Sequence, residues 1–79
     1  MSGTPDEKAL LQILAVELGR RTVREEDRLI EDLEAESMDL VAVLAAVEER
    51  WGLELDEAEI SGVRTVRDLV ERILQAAGT

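Results

Sequence analysis

The sequence predicts an all-α protein, a four-helix bundle with three long helices, one short third helix and a long first loop. Its composition is 46% hydrophobic and 35% charged, which is the balance of a globular chain. Proline and aromatic residues are rare, with a single proline and Trp51 as the one aromatic. Apolar residues recur at helical spacing in three separate segments. With 79 residues and no internal repeat, residues 1–79 are expected to form one domain.

The first helix is predicted over residues 5–18. Thr4 is the expected N-cap, Pro5 occupies the first helical position, and Glu7 follows the cap by three residues, as in a capping box. Gly19 ends the helix. Its apolar stripe consists of Leu10, Ile13, Leu14 and Leu18.

Residues 19–36 are too polar and uneven for a packed helix, although residues 27–33 are expected to make one or two helical turns. A long loop in a small domain is usually functional or disordered, and regularly placed apolar residues favour order here. The expected anchors of this loop are Val23, Leu29, Ile30 and Leu33.

The second helix is predicted over residues 37–51, with Ser37 as its N-cap and Asp39 in the first turn. Residues 40–47 are apolar on every face, so the outer side of the helix must be covered or form a contact patch. Gly52 ends the helix. The expected core-facing residues are Val41, Leu44 and Trp51, with Val47 or Glu48 between them.

Two further helices complete the bundle. A short third helix over residues 56–61 is capped by Asp56, and a fourth over residues 65–76 is capped by Thr65, with Asp68 three residues later. The stripe of the fourth helix consists of Val66, Leu69, Val70, Ile73 and Leu74.

Charge is distributed unevenly along the chain. The net charge is −10, but residues 25–59 carry fourteen acids and two arginines, net −12, while each end of the chain is net +1. Such a field repels nucleic acid and anionic lipid and attracts basic partners. We therefore expect no nucleic-acid binding and no membrane insertion. The lack of an apolar run near 20 residues and of a signal sequence predicts a soluble, cytoplasmic protein, which we expect to be a monomer.

Catalysis has few suitable side chains. The chain contains neither cysteine nor histidine, which removes disulfides, thiolate or imidazole metal ligands and the commonest general base. The acidic loop lacks the glycine and ligand spacing of a calcium-binding loop, so no metal site is expected. The sequence therefore predicts that the protein is not an enzyme.

Ser37 is the most informative residue, because a helix N-terminus offers unbonded N–H groups and a positive dipole end that suit a phosphate carried on its hydroxyl. Residues 27–39, DRLIEDLEAESMD, resemble the attachment-site region of acyl carrier proteins. The resemblance continues through residues 48–55, EERWGLEL, and residues 64–70, RTVRDLV, and so covers most of the chain.

This resemblance implies a carrier whose serine receives 4′-phosphopantetheine from coenzyme A through a separate phosphopantetheinyl transferase. The terminal thiol of the arm then holds an acyl or aminoacyl group as a thioester and presents it to loading and synthase enzymes with basic docking patches. Ser37 matches the attachment residue. The positions that match partner-recognition residues are Glu36, Met38, Asp39, Glu48 and Glu49.

Three departures from the family pattern favour a specialised pathway over housekeeping fatty-acid synthesis. Glu34 stands where glycine is common, Ala42 where an acid is common, and Asp56 where proline is frequent. The expected function is thus a free-standing carrier in a specialised fatty-acid, polyketide or aminoacyl pathway. The alternatives are an unmodified acidic interaction module of the same fold and, less favoured, an acidic mimic of nucleic acid.

Overall fold

The computed structural model describes residues 5–78 and confirms the all-α class. Three α-helices, α1 (Glu7–Glu17), α2 (Ser37–Trp51) and α3 (Val66–Ala76), are joined by a long first loop and by a segment that contains the 3₁₀ helix Glu57–Ile60. Helix α1 packs against α2 and α3, and the 3₁₀ helix packs against α2 and α3. The three long helices and the short third one occur in the predicted order.

Helix α1 begins two residues later than predicted. Asp6, not Thr4, is the N-cap of the described helix, because its Oδ1 accepts a 2.8 Å hydrogen bond from the Ala9 N–H. Thr4 itself lies outside the described residues. At the other end Gly19 adopts a left-handed φ of 67°, so the chain turns away at the predicted place.

Helix α2 spans the expected residues, but its buried face was predicted only in part. Leu44, Val47 and Trp51 are buried as expected, whereas Val41 is half-buried and Leu40 and Val43 take its place. A run that is apolar on every face cannot show from spacing alone which side meets the core. The Arg50 guanidinium lies 4.9 Å from the centroid of the Trp51 ring, a cation–π contact at the end of the helix.

The first loop is ordered by its contacts with the core and with the start of α3. Val23, Leu29 and Leu33 are buried as predicted, but Ile30 is 69% exposed, so its assignment as an anchor was wrong. The turn that buries Leu29 and Leu33 directs the intervening Ile30 to solvent. Ala35, which the sequence did not single out, is buried instead.

The core is aliphatic apart from one tryptophan, and no polar or charged side chain is buried among residues 5–78. Each long helix contributes, and the first loop fills the remaining side. Its buried hydrophobic residues are Ala9, Leu10, Leu14, Ala15, Val23, Leu29, Leu33, Ala35, Leu40, Val43, Leu44, Val47, Trp51, Val66, Leu69, Val70 and Ile73.

Candidate functional site at the start of helix α2

Ser37 is the first residue inside α2 and not its N-cap, which corrects the prediction. Glu36 occupies the cap with an extended backbone, and the Asp39 Oδ2 accepts a 2.9 Å hydrogen bond from the Glu36 N–H. Because Glu36 and Asp39 form the cap, the Ser37 hydroxyl is not needed for it. Ser37 is exposed, and its Oγ makes no hydrogen bond within residues 5–78.

The first two amide groups of α2 are also unbonded. The N–H groups of Asp39 and Leu40 donate to the Glu36 carbonyl at 3.0 and 3.2 Å. Those of Ser37 and Met38 have no acceptor in the part of the chain that the structure describes. An exposed hydroxyl therefore lies beside two available donors at the positive end of a fifteen-residue helix.

A tight turn leads into this site. The Ala35 N–H donates to the Leu29 carbonyl at 2.8 Å, and the Glu34 N–H donates to the Ile30 carbonyl at 3.1 Å. Glu34 has a φ of 54° and is the one non-glycine residue with a positive φ among residues 5–78. Its left-handed backbone lets the chain reverse direction shortly before α2 begins at Ser37.

Arg28 and Asp32 close the beginning of the same turn. The Arg28 N–H donates to the Asp32 Oδ2 at 2.7 Å, and the Arg28 Nε lies 3.2 Å from the same oxygen. The hydrogen bonds from the Arg28 side chain and then from its backbone hold the pKa of Asp32 below its ordinary value. The turn therefore has hydrogen bonds at both ends.

The five residues predicted to contact partners fall into two groups. Glu36, Met38 and Glu49 are exposed, and Met38 has 81% of its surface in solvent. Asp39 and Glu48 are half-buried and bind backbone N–H groups, since the Glu48 Oε2 accepts a 2.8 Å hydrogen bond from the Leu55 N–H. The sequence did not reveal this second role, because a capping acid and a docking acid have the same side chain.

Other kinds of site receive no support within residues 5–78. No group of three or more His, Cys, Asp or Glu side chains is placed to hold a metal ion. No helix in this part of the chain is long and apolar enough to cross a membrane.

Comparison with known proteins identifies the family to which the chain belongs. The family described as "Phosphopantetheine attachment site" matches residues 8–73. The acyl carrier protein of Helicobacter hepaticus is 41% identical over 51 residues, which is 65% of this chain and 67% of that protein. The acyl carrier protein of Thermotoga maritima is 39% identical over 56 residues, or 71% and 69% of the two chains. That of Rickettsia canadensis is 29% identical over 69 residues, or 85% and 80%.

The chain belongs to the acyl carrier protein family. It is a carrier and not an enzyme, and its cofactor is covalently attached 4′-phosphopantetheine. Membership also implies interaction with a phosphopantetheinyl transferase and with synthase enzymes.

Proposed function

We propose that the chain acts as a single, free-standing carrier domain that bears acyl or aminoacyl groups on a 4′-phosphopantetheine arm attached to Ser37. The observation that carries this proposal is the state of the Ser37 side chain. Its hydroxyl is exposed, takes no part in capping, and lies at the start of α2 beside the unbonded N–H groups of Ser37 and Met38.

These features fit the chemistry of the attached group. Loading forms a bond between the Ser37 Oγ and the phosphorus that carries pantetheine in coenzyme A. The bond from that phosphorus to the adenosine-bearing phosphate breaks, and the hydroxyl proton passes to a base of the transferase. The resulting phosphodiester is an anion, and the dipole and unbonded N–H groups at the start of α2 stabilise it.

When bound, the arm supplies a thiol that holds cargo as a thioester, which this cysteine-free chain cannot supply itself. The protein's own residues present the arm. Met38 offers an apolar contact next to the attachment atom, and Glu36 and Glu49 offer exposed carboxylates to basic patches on partner enzymes.

Two sequence features support service in a specialised fatty-acid, polyketide or aminoacyl pathway. Ala42 lies in α2 at a position where the family commonly has an acid. Asp56 stands where proline is frequent in the family, and it is the N-cap of the 3₁₀ helix. Both changes alter the surface that a cognate enzyme would contact. We further propose that the protein acts as a monomer in the cytoplasm.

Intact mass measurement tests the attachment. The protein is incubated with coenzyme A and a broad-specificity phosphopantetheinyl transferase, and its mass is compared before and after. We expect a gain of one phosphopantetheine group, which Ser37→Ala abolishes. Ser61→Ala is the matched control, because it removes an exposed hydroxyl after the 3₁₀ helix and should leave the gain unchanged. A wild-type protein that gains no mass would instead support the unmodified interaction module.

A further inference from the structure

Arg20 is held in a defined place by the end of helix α1. The Arg20 N–H donates to the Ala15 carbonyl at 2.8 Å, and the Gly19 N–H donates to the Val16 carbonyl at 3.2 Å. With Gly19 in the left-handed region, this is the hydrogen-bond pattern of a Schellman motif. These hydrogen bonds hold the backbone of Arg20 against the end of α1, and its side chain extends from there.

The Arg20 side chain contacts the turn of residues 33–35, which precedes Ser37. Its Nη2 donates a 3.0 Å hydrogen bond to the Leu33 carbonyl and lies 3.6 Å from the Glu34 Oε2. The Leu33 carbonyl accepts no backbone hydrogen bond within residues 5–78. Arg20 therefore satisfies a carbonyl that the turn itself leaves unpaired.

The two contacts differ in strength. The Glu34 side chain is 84% exposed and that of Arg20 is 39% exposed, so water and salt screen their ion pair. The bond to the Leu33 carbonyl is partly buried and charge-assisted, and Leu33 is itself anchored in the core. Most of the restraint on the turn therefore comes from the carbonyl contact.

The turn needs this restraint because of the backbone at Glu34. A residue with a β-carbon is disfavoured in the left-handed region and persists there when its surroundings hold it. Arg20 bonds to the carbonyl of the residue immediately before Glu34 and pairs with its carboxylate. Ser37 follows three residues later, so a change in the backbone at Glu34 would redirect the entry to α2.

We propose that Arg20 is a positioning residue for the modification of Ser37, holding the 33–35 turn so that the hydroxyl is presented correctly to the transferase. This role rests on the proposed function, since it concerns the same serine. Arg20 acts through its contact with the backbone of the turn, whereas an exposed acid such as Glu49 acts on partners through the electrostatic field.

Electrostatic steering and positioning predict different effects on the kinetics of modification when Arg20 is lost. Removing a cation from an acidic protein strengthens its attraction to a basic partner and does not slow the encounter. Loss of positioning lowers the rate even when the carrier saturates the transferase. The kcat of modification, measured separately from the KM for the carrier, therefore distinguishes the two.

The experiment measures both constants for the wild-type protein, Arg20→Ala and Arg21→Ala. Arg21 is the matched control, because it is exposed and its side chain makes no hydrogen bond or ion pair within residues 5–78. We expect Arg20→Ala to lower kcat roughly tenfold, within the range that a small misplacement of a reacting atom produces. Arg21→Ala should leave kcat unchanged, and Glu34→Gln should lower it much less than Arg20→Ala.

A double variant separates positioning from general loss of folding. Glycine is at ease with a positive φ, so Glu34→Gly in the Arg20→Ala protein should restore most of the lost kcat. In hydrogen exchange, the Ala35 N–H should exchange faster in Arg20→Ala and recover protection in the double variant.

The outcomes separate this proposal from the proposed function. Wild-type protein that takes up no phosphopantetheine would overturn both. Wild-type and Arg20→Ala proteins that are modified with equal kcat would overturn the role of Arg20 alone. The same holds if kcat falls equally in Arg20→Ala and Arg21→Ala, or if glycine at position 34 restores nothing.

Discussion

Helices α2 and α3 begin with the same kind of cap, but the polar groups at their N-termini are bonded to different extents. In each, an aspartate in the first turn accepts a hydrogen bond from the N–H of the cap residue, Asp39 from Glu36 at 2.9 Å and Asp68 from Thr65 at 3.1 Å. At α3 the cap side chain also takes part, since the Thr65 Oγ1 accepts a 3.2 Å hydrogen bond from the Asp68 N–H. At α2 the neighbouring hydroxyl, that of Ser37, bonds to nothing within residues 5–78.

The first loop makes the larger difference. The N–H groups of Val66 and Arg67, at the start of α3, each donate to a loop carbonyl at 2.9 Å, that of Asp27 and that of Glu25 respectively. No such carbonyl reaches the N–H groups of Ser37 and Met38. The first two N–H groups of α3 are therefore already bonded, whereas those of α2 are available to the proposed phosphate.

A capping motif alone therefore does not decide whether a helix N-terminus is available to an anion. What matters is whether the helix's first N–H groups are already bonded, and the path of the loop decides that. The two ends can therefore be told apart by substitutions of the same chemical kind.

Removing a hydroxyl from each end should give the largest contrast. Thr65→Ala loses a capping hydrogen bond and should destabilise the protein by about 1 kcal/mol, which lowers Tm by roughly 4–8 °C in a domain of this size. Ser37→Ala removes a hydroxyl that caps nothing and should change stability by less than about 0.5 kcal/mol. Urea denaturation of both unmodified variants measures the difference. Equal losses would show that Ser37 also acts as a cap.

Low pH should reduce the stability that Asp68 contributes at the start of α3. Hydrogen bonds from the N–H groups of Thr65 and then Arg64 lower the pKa of Asp68 from its ordinary value of 3.8. A lowered folded-state pKa gives stability that is present above the unfolded pKa and is lost as pH falls through the folded one. Asp68→Asn should therefore be less stable than wild type at neutral pH, with a difference that shrinks below about pH 4.

Thermal melts over a range of pH values test this dependence. Glu71→Gln is the control, because its exposed carboxylate on α3 makes no hydrogen bond or ion pair within residues 5–78. It should follow the wild-type profile. A constant difference between Asp68→Asn and wild type at every pH would contradict the assigned role of the Asp68 charge.

A reversed charge near each helix should have the smallest effect, and it should be seen only in docking. Glu49→Lys changes an exposed acid on α2 within the net −12 segment, and Glu71→Lys makes the same change on α3. We expect Glu49→Lys to slow association with the transferase more than Glu71→Lys, and the difference to shrink in high salt. Stopped-flow association rates at two salt concentrations measure it. Equal or salt-independent effects would count against steering by the acidic segment.

Glu48→Lys and Asp39→Lys are poorer probes of the same steering. Both carboxylates bind backbone N–H groups, so their loss would combine a docking effect with a structural one. That distinction required the structure, because the sequence alone placed Asp39, Glu48 and Glu49 in one group.

The sequence by itself determined the fold class, the order of the helices and the ends of α2 and α3 to within a residue. These features depend on local physics: apolar spacing, capping side chains such as Thr65 with Asp68, and glycines such as Gly19 and Gly52 that adopt a positive φ. The sequence also singled out Ser37, through its place before a long apolar helix, the acids on both sides of it and the resemblance of residues 27–39 to acyl carrier proteins.

Tertiary structure decided which face of α2 is buried, which loop residue points outward and which helix N-terminus stays open. Each depends on contacts between residues far apart in the chain, as between Arg67 and Glu25 or Arg20 and Leu33. Spacing within one helix cannot encode where a distant carbonyl will lie. The sequence thus places a serine at the start of α2, and the packing of the loop leaves its hydroxyl exposed and unbonded.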